Sequence, residues 1–256
     1  KTQAVLSLPD GRQVALGNEK EQDTAWMKYV EACTIESKAT TEPADIKIEV
    51  ARGGEYKIRL EDGTTVWLNS ESSLIYPEKF TGDKRAVRLS GEGYFEVARD
   101  EKKPFIVSVT DMEIKVLGTK FNVTAYQDEK MTTTTLISGA VEVVTPHRSV
   151  QLQPGKQAMV QEGGDDITVL EVDVELATSW TAGIFKFDKM ALTDICTRLS
   201  RWYDIDFVFE GETGKEKFTG GTWKYVPLKD FLSKIERVTN VLFLFENNTV
   251  RVVPKK

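Results

Sequence analysis

Hydrophobic and polar residues alternate along most of this chain in short runs of period two. Tyr56, Ile58 and Leu60 form one run; Val66 and Leu68 form the next, with Trp67 on the opposite face. Val87 and Leu89 begin another, Gly91 and Gly93 break it, and Phe95 and Val97 resume. Phe105, Val107 and Val109, then Ile114 and Val116, then Phe121, Val123 and Ala125 continue it, as do Val141 and Val143, Ala158 and Val160, and Ile167 and Val169. Period two is the signature of a half-buried strand. Turn residues separate the runs: Asp62-Gly63, which supplies a φ > 0 pair for a tight hairpin, then Thr110-Asp111, Gln127-Asp128, Pro154-Gly155 and Gly163-Gly164. Many short strands with no helix between them predict an antiparallel β-sandwich or roll, so the chain is mainly β.

The first twenty residues predict a further hairpin, with Val5, Leu6 and Leu8 before Asp10-Gly11 and Val14 and Leu16 after it. Leu8-x-Asp10-Gly11-x-x-Val14-x-Leu16 echoes Leu60-x-Asp62-Gly63-x-x-Val66-x-Leu68, either as an internal repeat or as two hairpins sharing turn chemistry. Residues 21–45 are polar around a cluster of Trp26, Met27 and Tyr29, and 37–44 predict a loop or linker.

Near Ser179 the pattern changes. Residues 183–187 predict a strand; Leu192, Ile195, Leu199, Trp202 and Tyr203 then fall at helical spacing. Strands follow at 205–209 and 217–222. Pro227 suits the first turn of a second helix, whose apolar face is Leu228, Phe231, Leu232, Ile235 and Val238. Residues 241–245 and 250–253 close a hairpin across Asn247-Asn248. The order β-α-β-β-α-β-β predicts a small two-layer α/β domain. The expected division is an N-terminal hairpin and linker (1–45) packing on a β domain (46–178), followed by the α/β domain (179–256).

Composition narrows the function. The 256 residues carry a formal net charge of -6 and are 40% hydrophobic, enough for one large or two ordinary cores. A mildly acidic chain with no Lys/Arg tract lacks the basic face that nucleic acid requires. No apolar run approaches the ~18 residues of a membrane span, and the polar alternation straight after Lys1 is not that of a signal peptide. A soluble chain is expected. Cys196 falls on the apolar side of the first helix as a small buried hydrophobe; pairing with Cys33 would need an oxidising compartment.

Catalytic groups do not assemble. His147, the only histidine, sits on a predicted turn, and one histidine builds neither a triad nor a metal cluster. Asp165-Asp166 lacks the ligand series of a calcium loop, and Gly91-Glu92-Gly93 lacks the third glycine and the helix of a phosphate cradle. Glu92 and Glu96, four apart on one strand face, form the nearest carboxylate pair, but the sequence ties no aromatic platform to them, and solvated strand positions account for them. No cofactor and no metal are expected.

A family resemblance supplies the function. Leu60-x-Asp62-Gly63-x-x-Val66-Trp67-Leu68-Asn69-x-x-Ser72-Ser73-Leu74-x-Tyr76-Pro77 resembles the opening of a FecR-type domain. Leu89-Ser90-Gly91-Glu92-Gly93-Tyr94-Phe95-Glu96-Val97-Ala98 resembles that family's "LxGEAYFEVA" block, with Gly93 where Ala is usual. Pro104-Phe105-x-Val107, Val116-Leu117-Gly118-Thr119-x-Phe121-Asn122-Val123 and Thr135-Leu136-x-x-Gly139-x-Val141 follow in the family's order, so the likeness spans roughly 46–172. The α/β pattern is similar to the C-terminal domain that follows FecR domains, and to the short signalling domain of some TonB-dependent transporters.

The resemblance implies the periplasmic part of an anti-sigma regulator that relays the state of a TonB-dependent outer-membrane transporter across the inner membrane. Its expected partners are the transporter's signalling domain and, through a cytoplasmic segment and membrane anchor absent from this sequence, a sigma factor. It also implies a reaction. Some FecR-like regulators cleave themselves at a Gly-Thr bond in this block, which here is Gly118-Thr119, with the threonine hydroxyl attacking the glycine carbonyl. The competing role is a plain turn, and no activating base is legible. Trp202, Tyr203, Trp223 and Tyr225 are the candidate partner-binding aromatics, with core packing as their competing role. The alternative from another class is a secreted β-sandwich that binds or cleaves glycans.

Overall fold

A computed structural model describes residues 4–16, 45–110 and 112–255. The chain divides into two compact units, Lys1–Val174 and Glu175–Lys256. The aromatic cluster at Trp26, Cys33 and the linker at 37–44 lie outside the described residues.

Among the described residues the first unit holds fifteen strands: β1 (Ala4–Ser7), β2 (Gln13–Leu16), β3 (Asp45–Val50), β4 (Tyr56–Arg59), β5 (Thr65–Leu68), β6 (Ser72–Pro77), β7 (Arg85–Glu96), β8 (Phe105–Val109), β9 (Met112–Val116), β10 (Lys120–Ala125), β11 (Met131–Ser138), β12 (Val141–Val144), β13 (Ser149–Leu152), β14 (Lys156–Gln161) and β15 (Ile167–Glu171). One layer runs β2-β1-β3-β6-β7-β8-β9-β12-β13 and the other β4-β5-β7-β10-β11-β14-β15. Every pair is antiparallel except β7 with β8. The twelve-residue β7 belongs to both layers. Arg88 to Ser90 pair with β6, whereas Gly91 to Glu96 pair with β10. Phe105 from one layer and Phe121 from the other meet Phe95 of β7 in a fully buried stack, with centroids 6.4 and 5.0 Å from that of Phe95.

Two sequence expectations need correction. Gly91 and Gly93 do not break the strand. Gly91 takes φ 92°, and a Cβ there would stand 2.4 Å from Ser72 Oγ, so a single strand bends from one layer into the other at the residue that needs no side chain. Nor does Asp62-Gly63 form a left-handed pair: only Gly63 is left-handed (φ 85°). Asp62 instead accepts the Thr64 N–H at 2.9 Å, while Gly63 N–H donates to Leu60 O and Leu60 N–H to Thr64 O. This carboxylate-capped turn closes with a single left-handed glycine. Asp10, Gly11 and Arg12 repeat the same bonds. β1 pairs with β3 as well as β2, so Leu6, Leu8 and Leu16 enter the common core.

A buried cation ties these parts together. Arg85, 2% exposed, donates from Nη1 to Asp62 Oδ2 at 2.7 Å and to Ala98 O at 2.8 Å, and from Nε to Lys103 O at 2.9 Å. It therefore joins the β4–β5 turn, the start of β7 and the loop that leads to β8.

α1 (Val174–Thr178) spans the boundary and a 3₁₀ turn (Ser179–Ala182) follows it in the second unit, neither of which was legible in the sequence. Then come β16 (Ile184–Ala191), α2 (Leu192–Tyr203), β17 (Asp206–Phe209), a 3₁₀ turn (Thr213–Lys215), β18 (Lys217–Trp223), α3 (Leu228–Val238), β19 (Val241–Glu246) and β20 (Thr249–Pro254). The strands form two small sheets, β16-β18 and β17-β20-β19, with β17 parallel to β20. Both sheets, α2 and α3 feed one core: Phe187 and Phe218 meet Phe231, beside Leu192, Ile195, Leu199, Val241 and Val252. Burial pushes the Cys196 thiol pKa far up, so it packs as a neutral hydrophobe.

Two details of α3 differ from expectation. Pro227 precedes the helix, in extended conformation at its N-cap. Val238 is 70% exposed, because the chain turns extended at Thr239, and it is Thr239 that is buried, its hydroxyl donating to Ile235 O at 2.8 Å.

Candidate partner-binding surface

Trp223 ends β18, and Lys224 and Tyr225 form the turn that follows, closed by Val226 N–H donating to Trp223 O at 3.2 Å. Trp223 and Tyr225 point outward, 61% and 73% exposed, and Lys224 between them points inward, 1% exposed. The Lys224 Nζ lies 4.2 Å from the Trp202 ring centroid, 5.5 Å from that of Trp180 and 5.8 Å from that of Phe185. A desolvated ammonium on aromatic faces is worth about 2 kcal/mol. Its main chain is held too: Lys224 N–H donates to Gly183 O at 2.9 Å, and Trp202 Nε1–H donates to Lys224 O at 2.7 Å. The Tyr203 hydroxyl donates to Val226 O at 2.6 Å.

The four aromatics singled out from the sequence therefore divide. Trp202 and Tyr203 are half-buried and fasten the main chain at Lys224 and Val226, whereas Trp223 and Tyr225 are exposed. Tyr225 also rests edge-on against Trp202, centroids 5.8 Å apart. Trp180 and Lys224 were missed. A lysine between two aromatics looks solvent-facing until those neighbours are known to be the exposed ones. Beside this surface, β18 pairs among the described residues with β16 alone, so its other edge offers backbone donors and acceptors.

Burial pushes the Tyr203 hydroxyl pKa up to about 12. The folded value lies above the ordinary 10, so its contribution to stability is fully present below pH 10 and is lost as pH rises toward 12. Urea unfolding followed by circular dichroism is expected to show the second unit weakening over that window. The loss should be smaller in Tyr203→Phe, which has no proton to lose.

The Gly118-Thr119 bond lies in the first unit, in a groove of about 560 Å³ lined by Arg99, Pro104, Leu117, Ala140 and Glu142 among others. Gly118 is packed so closely on Arg99 that a Cβ would stand 2.7 Å from the Arg99 Cα. Thr119 is 4% exposed, and its hydroxyl donates to Ala140 O at 2.8 Å. An amide carbonyl accepts that hydrogen bond without being basic enough to remove the proton.

Comparison with known proteins follows the same division. Residues 46–142 match the model described as FecR protein, and residues 184–252 match that of the FecR C-terminal region. Two crystal structures of a candidate anti-sigma factor from Parabacteroides distasonis ATCC 8503, at 1.65 and 2.50 Å resolution, are similar to this chain at 30% identity and a TM-score of 0.77. They cover 82% and 83% of this chain and 99% and 100% of their own. The chain belongs to the FecR family of anti-sigma regulators. No curated protein matches it.

The remaining candidates of this FecR-family chain fall into place as structural groups. His147 is an exposed turn residue 3.7 Å from Asp165, and no three metal-ligating side chains cluster among the described residues. Glu92 is not a solvated position. It accepts from Asn69 at 2.8 Å, from Asn122 at 3.0 Å and from Thr124 at 3.2 Å, because cross-strand pairing brings three donors to one carboxylate. Glu96 binds Lys120 at 2.7 Å. Among the described residues no helix is long and apolar enough to cross a membrane.

Proposed function

We propose that this FecR-family chain is the periplasmic part of a membrane-anchored anti-sigma regulator, and that its second unit docks the signalling domain of a TonB-dependent outer-membrane transporter. The observation that carries this reading is the Trp223–Tyr225 segment: two exposed aromatic rings on either side of a buried lysine, beside the edge of β18 that pairs with no other described strand. Rigid exposed aromatics make interaction hot spots, and an open edge accepts a partner strand. The first unit serves as scaffold, and the sigma factor is engaged by a segment outside this sequence.

Calorimetric titration of the chain with the signalling domain of the transporter encoded nearest to it tests the proposal. Saturable binding is expected. Absence of binding at roughly 100 μM, equivalent to about -5.5 kcal/mol, overturns it.

The relay is proposed to work without chemistry in this chain. The Thr119 hydroxyl is committed to Ala140 O, so Gly118-Thr119 acts as a tight connection between β9 and β10. Intact mass of freshly purified protein is expected to show one unbroken chain. Two fragments meeting at Gly118-Thr119, and absent from Thr119→Ala, would establish self-cleavage instead.

A further inference from the structure

β15 forms one edge of the first unit. Among the described residues it pairs with β14 alone. Glu162 N–H donates to Lys130 O, so every second donor of β14 faces β11, and Val172 N–H donates to Gly155 O. Strand bonds alternate in direction, so Thr168 and Leu170 carry the ladder to β14. The N–H and C=O groups of Ile167, Val169 and Glu171 face away from it, with no described strand beside them. The side chains are uncovered too. Ile167 packs against the core, whereas Val169, on the same face and opposite Ala158, is 39% exposed because no described strand continues the layer beyond it. Leu170, on the other face, is 47% exposed.

Natural sheets blunt such edges with lysine, proline or a bulge. β15 carries none of the three, and its flanks are acidic. Residues 162–173 hold Glu162, Asp165, Asp166, Glu171 and Asp173 and no Lys or Arg. Arg148 offsets Asp166 at 2.9 Å and Lys156 offsets Glu171 at 3.1 Å, so the edge stays net negative. Its start is pinned, with the Thr145 hydroxyl donating to Asp165 O at 3.1 Å.

We infer that β15 is a docking edge for an extended segment of a second protein, apolar at alternate positions and basic at both ends, which adds as a further strand of this layer. Main-chain bonds to Ile167, Val169 and Glu171 supply affinity, and the alternate side chains of the added strand cover Val169 and Leu170. Its basic ends meet the acidic flanks and set the choice of partner. Other occupants fit less well. A second copy of this chain, paired antiparallel about Val169, would set Asp165 against Asp173 and Ile167 against Glu171, which like charge and mismatched polarity oppose. The same carboxylates repel nucleic acid and an anionic membrane surface. The edge belongs to the first unit and shares no residue with the Trp223–Tyr225 surface.

The probe is the peptide acetyl-Lys-Arg-Val-Thr-Val-Thr-Val-Lys-Arg-amide, titrated into the full chain to about 1 mM and followed by amide NMR and hydrogen exchange. Saturable binding is expected, with exchange slowed at Ile167, Val169 and Glu171. A twin peptide with Glu in place of each Lys and Arg should bind at least tenfold more weakly. Val169→Pro should abolish binding, since it removes an outward N–H, while proline at an outward donor of an edge strand is compatible with the fold. Trp223→Ala combined with Tyr225→Ala should bind the peptide as the parent does. If Val169→Pro fails to fold, the exchange map on the parent decides. No binding, protection elsewhere, equal binding of the acidic twin, or full binding by a folded Val169→Pro overturns the inference.

Discussion

Replacing Arg85 by methionine is expected to destabilise the first unit by about 3–5 kcal/mol, the range for removing one partner of a buried ion pair. The methionine fills part of the space above Phe105, where the guanidinium now lies 5.4 Å from the ring. It cannot supply the three hydrogen bonds that reach Asp62, Ala98 and Lys103. Asp62, with a side chain 13% exposed, would keep its carboxylate charge with only the Thr64 amide and hydroxyl as donors. Urea titration should show the loss in the transition of the first unit, leaving that of the second in place. Adding Asp62→Asn should restore part of it, because the stranded charge is gone. A loss below about 1 kcal/mol would mean that the pair is no more than a surface contact.

Trp223→Ala combined with Tyr225→Ala is expected to weaken docking at least a hundredfold, since anchoring aromatics cost about 2 kcal/mol or more each on truncation. Both rings are mostly exposed, so the unfolding midpoint of the second unit should barely move. Lys224→Met should behave differently. It removes the cation from the Trp202, Trp180 and Phe185 faces, loosening the segment, so stability and docking should fall together. Calorimetry paired with urea unfolding separates the two patterns. Full-strength binding by the double variant would place the docking surface elsewhere.

Much of this architecture could be read from the sequence because its elements announce themselves locally. Phe121 and Val123 alternate with Asn122 and Thr124 on an antiparallel strand, and Leu192, Ile195 and Leu199 recur at helical spacing, so faces and element types follow from period alone. What stayed hidden depends on distant partners. The bend of β7 at Gly91 reflects the closeness of Ser72, nineteen residues earlier in the chain, whereas locally the glycine looks like a break. β11 is a run of threonines whose strand character appears only when β10 and β14 flank it. Arg85 sits in a charged stretch beside Lys84 and looks solvated until Asp62 folds onto it. At the candidate surface, the sequence named four aromatics but could not say which are half-buried and which are exposed. That division rests on Lys224 turning inward.

Amide hydrogen exchange of the chain, with and without the transporter's signalling domain, tests the docking proposal most directly. Partner-induced protection is expected across Lys217–Trp223 and on to Tyr225, with the first unit unchanged. Saturable binding that protects only amides of the first unit, or none at the β18 edge, would contradict it.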